Sequence, residues 1–266
     1  MRDPFGRSIE YLRISVTDKC NFRCFYCMPA EGVPFLPHES ILRFEEIVEV
    51  ARTALTMGIT RFRLTGGEPL IRRGIVDLVR MLAALDGIED LAMTTNGALL
   101  AGFAADLKAA GLRRVNISLD TMNPDRFRDM TRGGDVGAVL TGIEAADREG
   151  LHPIKLNIVV EDPARDEDVR SVEEFARRHG YESRRIRMMN LGVGRFSVVE
   201  NSTRGDCALC NRLRLTCDGF VRSCLMSRIM FSVRELGAEE ALRRAIAEKP
   251  EHGSGAPGSA MNRIGG

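Results

Sequence analysis

Residues 11–27 read Tyr-Leu-Arg-Ile-Ser-Val-Thr-Asp-Lys-Cys-Asn-Phe-Arg-Cys-Phe-Tyr-Cys. The first six predict a strand, and a loop holding Cys20, Cys24 and Cys27 in CxxxCxxC spacing follows it. A structural zinc site takes four ligands, usually as two CxxC-like pairs. Three cysteines at unequal spacing on one loop fit that poorly. They fit a four-iron cluster held by thiolates, with one iron left open for a further ligand.

Working outward, further strands are predicted over 61–65, 91–95, 114–119, 154–160 and 184–189, several with period-two alternation. Helical stripes lie between them. Phe44, Ile47, Val48, Ala51, Ala54 and Leu55 form one, closed by Gly58. Leu99, Leu100, Phe103, Leu107 and Ala110 form another. Asn123-Pro124 reads as an N-cap with proline at the first helical position. Asp166 opens a stripe of Val169, Val172, Phe175 and Ala176. Six strand–helix repeats imply an α/β fold with a parallel sheet and right-handed crossovers. Six is short of the eight of a closed barrel, so a partial (β/α)6 TIM-like barrel is expected ahead of a doubly wound sheet. The chemistry is expected at the C-terminal ends of the strands. Residues 1–190 form the core and 191–266 a C-terminal extension. In that extension 191–206 reads as a linker, 233–248 as a helix and 251–266 as a Gly-, Ser- and Pro-rich tail.

The chain has 266 residues and a net charge of +1, which argues against a general nucleic-acid binder. No run of about 18 uncharged apolar residues exists to span a membrane. The N-terminus, MRDPFGRSIEY, lacks an apolar core, so no signal peptide is read and a cytoplasmic location is expected. Disulfides are rare there, and the seven cysteines need another explanation.

Four of them lie at 207, 210, 217 and 224. Cys207, Cys210 and Cys224 give CxxC, thirteen residues, then Cys. A zinc knuckle is one reading; beside the first trio, a second iron–sulfur cluster is preferred. Cys217 is either inert, the favoured reading, or a fourth ligand. Arg13, Arg63, Lys155 and Arg184 fall on predicted inner strands, and Arg212 and Arg214 flank the second cysteine group. A charge inside a barrel is costly unless it meets an anion, and guanidinium forks suit phosphate oxygens. A triphosphate is a natural partner for such a convergence.

The CxxxCxxC loop after the first strand resembles the radical S-adenosylmethionine (SAM) superfamily. The resemblance implies SAM on the open iron and contacts from Tyr26, Gly66, Gly67, Glu68, Ser118 and Met189. In the family Tyr26 would pack near the adenine, and the Gly66-Gly67-Glu68-Pro69 motif would bring its backbone to the SAM amino group. The string Cys210-Asn211-Arg212-Leu213-Arg214-Leu215-Thr216, with Asp218-Gly219 and Cys224, is similar to the GTP 3′,8-cyclase family of molybdenum cofactor biosynthesis. So are the opening Asp3-Pro4-Phe5-Gly6-Arg7 and the ending Ile264-Gly265-Gly266. That likeness implies two [4Fe-4S] clusters, the second on Cys207, Cys210 and Cys224 with the guanine at its open iron. It implies GTP contacts from Arg13, Arg63, Thr94, Lys155, Arg184, Arg212 and Arg214. It also implies a catalytic part for Arg13 and for a Gly265-Gly266 tail that reaches the active site. It further implies a downstream cyclic pyranopterin monophosphate synthase; the electron donor is not named by the sequence, and a homodimer stands as one option for its assembly. The chain departs from the family in being several dozen residues shorter between Met189 and Cys207, and in carrying Arg187 where glutamate is usual. Two rivals stand beside this reading. One is another radical SAM enzyme with an auxiliary cluster acting on a peptide or sugar. The other is a non-catalytic zinc-binding protein.

Overall fold

The computed structural model describes residues 1–160, 166–188 and 206–254. Six parallel strands alternate with helices: β1 (Tyr11–Ser15), α1 (Phe44–Thr56), β2 (Arg61–Thr65), α2 (Ile75–Ala83), β3 (Asp90–Thr95), α3 (Ala104–Ala109), β4 (Arg114–Ser118), α4 (Pro124–Thr131), α5 (Val136–Arg148), β5 (Lys155–Val160), α6 (Asp166–His179) and β6 (Glu182–Arg187). Three short strands follow, β7 (Arg212–Leu215), β8 (Phe220–Arg222) and β9 (Met230–Ser232), then α7 (Val233–Leu236) and α8 (Ala238–Ala247). They join one nine-stranded sheet in the order β6-β5-β4-β3-β2-β1-β7-β8-β9. The β7 strand runs parallel to β1, whereas β8 and β9 return antiparallel. Among the described residues the sheet stays open between β6 and β9, as a partial barrel does.

The sheet has two chemically different faces. Residues aligned across parallel strands share a face, and successive residues alternate. Leu12, Ile14, Phe62, Leu64, Leu91, Met93, Val115, Ile117, Leu156, Ile158, Leu213 and Leu215 all point one way and are at most 1% exposed. They meet the helices, each contributing roughly 1.5–3 kcal/mol of burial. The other face carries Arg13, Arg63, Thr94, Asn116, Lys155, Asn157, Arg184 and Arg214. A buried parallel strand ordinarily reads as a continuous apolar run. A polar row here therefore marks the interior of a site.

Local signals hold at α4, where the Asn123 side chain accepts from the amides of Asp125 and Arg126 ahead of Pro124. Elsewhere the boundaries move. The stripe from Leu99 to Ala110 is not one helix: a 3-10 turn over Leu100–Gly102 precedes α3, with the break at Phe103. The helix expected over 233–248 splits at Gly237, whose φ of +80° no ordinary helical residue adopts. The sixth strand begins at Glu182 and ends at Arg187, earlier than expected. The stretch after Cys210, read only as cluster flank, is the strand β7; its partner is β1, some two hundred residues away in sequence. Met189, Gly265, Gly266, most of the expected linker and the far tail lie outside the described residues. Among the described residues no helix is long and apolar enough to cross a membrane.

Candidate active site

The first cysteine loop leaves the C-terminal end of β1 and is held against the ends of β2, β3 and β4. Gly67 donates to the Thr17 carbonyl at 2.8 Å and Glu68 to the Lys19 carbonyl at 2.8 Å. A Cβ on Gly66 would stand 2.5 Å from the Thr17 oxygen, and one on Gly67 would stand 2.0 Å from the Lys19 oxygen. The Gly-Gly pair is thus required by the backbone of the cysteine loop itself. Glu68 is fully buried, and its carboxylate accepts from Leu70 N, Thr95 Oγ1 and Asn96 N at 3.0, 2.7 and 2.6 Å. It knits β2 to β3 beneath the loop. Burial, set against those three hydrogen bonds, pushes its carboxyl up to about 7.

Asn96, which the motifs did not single out, approaches the Cys20 sulfur with Nδ2 at 3.8 Å and holds Asn21 Oδ1 at 2.8 Å. Tyr26 donates from Oη to Asp120 Oδ2 at 2.5 Å, and Asp120 Oδ1 accepts from Val159 N at 2.7 Å. That ring is therefore anchored to the mouths of β4 and β5. Burial, then the charge of Glu68, raises the Cys20 thiol; burial, then Asp120, raises Cys24 to about 12. Cys27 is raised further, by burial and by its neighbours Cys24, Cys20 and Asp120. Among the described residues no three His, Cys, Asp or Glu side chains close on a single metal ion. A four-iron cube spreads its thiolates over separate iron corners, and three half-buried thiols on one loop are the donor set it uses.

The second trio does not sit at the C-terminal ends of the strands, as expected, but at the opposite mouth. Cys207 and Cys210 precede β7, which runs parallel to β1, so they reach the sheet at its N-terminal edge. Cys224 follows the antiparallel β8 and arrives at the same edge. The three line one cavity with Arg7, Arg212, Arg214 and Lys249. Burial opposes ionisation of Cys210, yet the charges of Lys249 and Arg212 bring its thiol down to about 7. Cys217 is fully buried away from this cavity, beside Ser15 and Asp18; burial, then Asp218 and Asp18, pushes its thiol up to about 12. It has no part in the trio.

The polar face spans the distance between the two mouths, five residues of β1 at about 3.3 Å each. In the register, Arg214, Arg13 and Arg63 stand side by side. Thr94, Asn116 and Lys155 form the next row, and Ser118, Asn157 and Arg184 the last. Arg63 is 1% exposed; Nε and Nη1 have no hydrogen-bond partner, and its guanidinium lies 5.4 Å from the Tyr11 ring centroid. Thr94 Oγ1, Asn116 Nδ2 and Asn157 Oδ1 are likewise buried without hydrogen-bond partners. Each such atom costs roughly 1–3 kcal/mol unless a ligand meets it. Asn116 and Asn157 were not singled out by sequence, although they share the alternation of Thr94 and Lys155. Arg214 is buried, and burial, then Arg212, brings it down to about 10. Lys155 and Arg184 both contact Glu182, at 2.6 and 3.1 Å, so these two cations already share one carboxylate. Arg114 pairs with Asp90 near the N-terminal mouth. The arrangement favours a polyanion rich in acceptors, held between two sulfur sites.

The Radical SAM superfamily profile matches residues 14–176. The chain belongs to that superfamily. Folds agree over most of its length: Streptococcus suis SuiB bound to precursor peptide SuiA superposes with a TM-score of 0.69 at 12% identity, covering 93% of this chain and 66% of SuiB. Native anSMEcpe with bound AdoMet superposes with 0.62 at 13% identity, covering 91% of this chain and 81% of anSMEcpe. Closer in sequence, the GTP 3′,8-cyclases of Heliobacterium modesticaldum and Moorella thermoacetica are each 41% identical, over 327 and 324 positions, with full coverage of both chains. Alkaliphilus oremlandii supplies another at 38%, covering 94% of this chain and 93% of the relative. Within the superfamily, the chain belongs to the GTP 3′,8-cyclase family.

Proposed function

We propose that the chain is a GTP 3′,8-cyclase, converting GTP to 3′,8-cyclo-7,8-dihydro-GTP in molybdenum cofactor biosynthesis. The observation that carries this is the cationic, hydrogen-bond-hungry row between two sulfur trios at opposite mouths of one partial barrel. Cys20, Cys24 and Cys27 hold the first [4Fe-4S] cluster; Cys207, Cys210 and Cys224 hold the second. When bound, the clusters and SAM would supply the radical that removes hydrogen from ribose C3′ of GTP and the electron that, with a proton, brings the C3′–C8 closure product to the 7,8-dihydro level.

The chain's own residues bind and orient. Tyr26, Gly66, Gly67, Glu68, Ser118 and Met189 shape the SAM side. Arg13, Arg63, Thr94, Lys155, Arg184, Arg212 and Arg214 receive the nucleotide, the guanidinium forks meeting phosphate oxygens in pairs. The substrate's triphosphate repays the desolvation of Arg63 and Arg214. Glu182 holds Lys155 and Arg184 in place and releases them toward the stronger anion. Asn116 and Asn157 offer a donor and an acceptor to the ribose or base. Arg13 and the Gly265-Gly266 tail assist at the reacting end. Residues 1–190 form the SAM core and 191–266 the auxiliary-cluster region. The chain works in the cytoplasm, fed by a separate electron donor, as a homodimer whose product passes to a cyclic pyranopterin monophosphate synthase.

Anaerobic incubation with GTP, SAM and dithionite, followed by mass analysis, tests this. The expected result is a cyclised product isomeric with GTP, separated from it by chromatography before mass analysis, and 5′-deoxyadenosine formation that GTP strongly stimulates. Formation of 5′-deoxyadenosine indifferent to GTP overturns it in favour of another radical SAM substrate. Purified protein that binds zinc and no iron overturns it altogether.

A further inference from the structure

Lys249 follows the end of α8 and is 2% exposed. Its Nζ donates to the carbonyls of Arg212 at 2.8 Å and Ser223 at 2.7 Å, the residues two places after Cys210 and one before Cys224. Its remaining donor faces the Cys210 sulfur. The charges that act on it most strongly are the Cys210 and Cys224 sulfurs, which favour the ammonium, and Arg7, which opposes it. A buried ammonium is tolerated when an anion compensates it, and here the anion on offer is sulfur. Lysine suits the place better than arginine: it is a compact charge with three donors that can take two carbonyls and a thiolate at once.

Arg7 anchors the same chain segment from the other side. Its Nη1 donates to the Cys207 carbonyl at 2.7 Å and to the Glu251 carbonyl at 3.0 Å, and its Nη2 to the Pro250 carbonyl at 2.7 Å. Asp3 holds it through Nε at 2.5 Å. Lys249 is therefore fixed in register with the sulfur trio from both flanks.

We propose that Lys249 is a positioning residue and counter-cation of the second cluster, placing its charge against the Cys210 and Cys224 sulfurs and raising the potential of the group they hold. This rests on the second-cluster assignment above. A positive charge near a cluster favours the reduced, more negative state, so removing it makes reduction harder. A residue that only fastened two backbone carbonyls would not do so.

The test uses the full chain, reconstituted without oxygen, with Cys20→Ala, Cys24→Ala and Cys27→Ala so that the second cluster alone is titrated by electron paramagnetic resonance. Lys249→Met is expected to lower the one-electron reduction equilibrium tenfold, about 59 mV downward. Lys249→Arg, which keeps the charge, is expected to stay near the parent. A loaded Lys249→Met variant at the parent's potential overturns the proposal alone. No iron in the parent overturns the second-cluster assignment and the proposal with it. If Lys249→Met fails to load, the melting of the cluster-free chain decides: melting with the parent supports the proposal, and melting far below it assigns Lys249 to the fold and overturns it.

Discussion

The two mouths of the barrel offer similar sulfur trios in opposite fields. At the C-terminal mouth, Cys20, Cys24 and Cys27 face Glu68 and Asp120, and burial and those carboxylates push their thiols up. At the N-terminal mouth, Lys249 and Arg212 overcome burial and bring Cys210 down. The difference teaches that ligand type does not set the behaviour of a thiolate site; its surroundings do. A group held among carboxylates is hard to reduce and donates electrons readily, which suits cleavage of a sulfonium. A group held among cations tolerates added negative charge, which suits a neighbouring triphosphate.

The sharpest way to break this comparison is to delete one site at a time. Cys24→Ala is expected to abolish SAM cleavage and halve the iron content. Cys224→Ala is expected to halve the iron too, but to lose GTP binding while dithionite-driven SAM cleavage persists at a reduced level. Iron analysis and 5′-deoxyadenosine assays read both. Identical phenotypes would show that the two mouths do not act separately.

Next in size is the row between them. Arg214→Ala removes a buried guanidinium that would face phosphate, and truncating such a partner costs about 2–5 kcal/mol of binding. Calorimetry with GTP on the reconstituted protein measures it, and Arg212→Ala, at a more exposed position, is expected to cost less. Unchanged affinity in the double variant would remove the substrate assignment.

The field difference can also be read without metal. In the cluster-free chain at pH 7.5, Cys210 is largely thiolate and Cys24 is not. Thiolate fraction outweighs the greater intrinsic nucleophilicity of the higher thiol, so Cys210 should alkylate roughly a hundredfold faster. Mass spectrometry of iodoacetamide-treated protein locates the order. Faster labelling of Cys24 would reverse the comparison.

Much of this was legible in the residues. Strand-like segments, several with period-two alternation, located β1 to β6 and put Arg13, Arg63, Lys155 and Arg184 on inner strands because strand pattern is a local property; Thr94 came only with the family likeness. The cysteine spacing marked the first loop for the same reason. What escaped was non-local. The β7 strand has four residues and becomes a strand through β1, and its direction places the second trio at the opposite mouth. Arg7 and Lys249 bind backbone carbonyls far away in sequence, and a carbonyl has no residue signature. Asn116 and Asn157 could have been found by extending the alternation one more step.

The smallest expected effect probes the carboxylate that makes the first mouth anionic. Glu68 is fully buried and its carboxyl is raised from 4.5 to about 7. Between those values the folded chain keeps a proton that the unfolded chain has released, so stability is fully present below pH 4.5 and is lost as pH rises through about 7. The loss is at most roughly 3 kcal/mol. Glu68→Gln removes the titration but must turn an amide donor toward Leu70 N, Thr95 Oγ1 or Asn96 N, costing about 1–3 kcal/mol. Urea unfolding of the cluster-free chain at pH 5 and pH 7.5 is therefore expected to show wild type weakening across the interval more than the variant does. The comparison between the two proteins cancels the histidines and every other group that titrates there. Equal pH dependence would mean that the fold does not raise the Glu68 carboxyl, which would then stand fully ionised beside the first mouth at neutral pH.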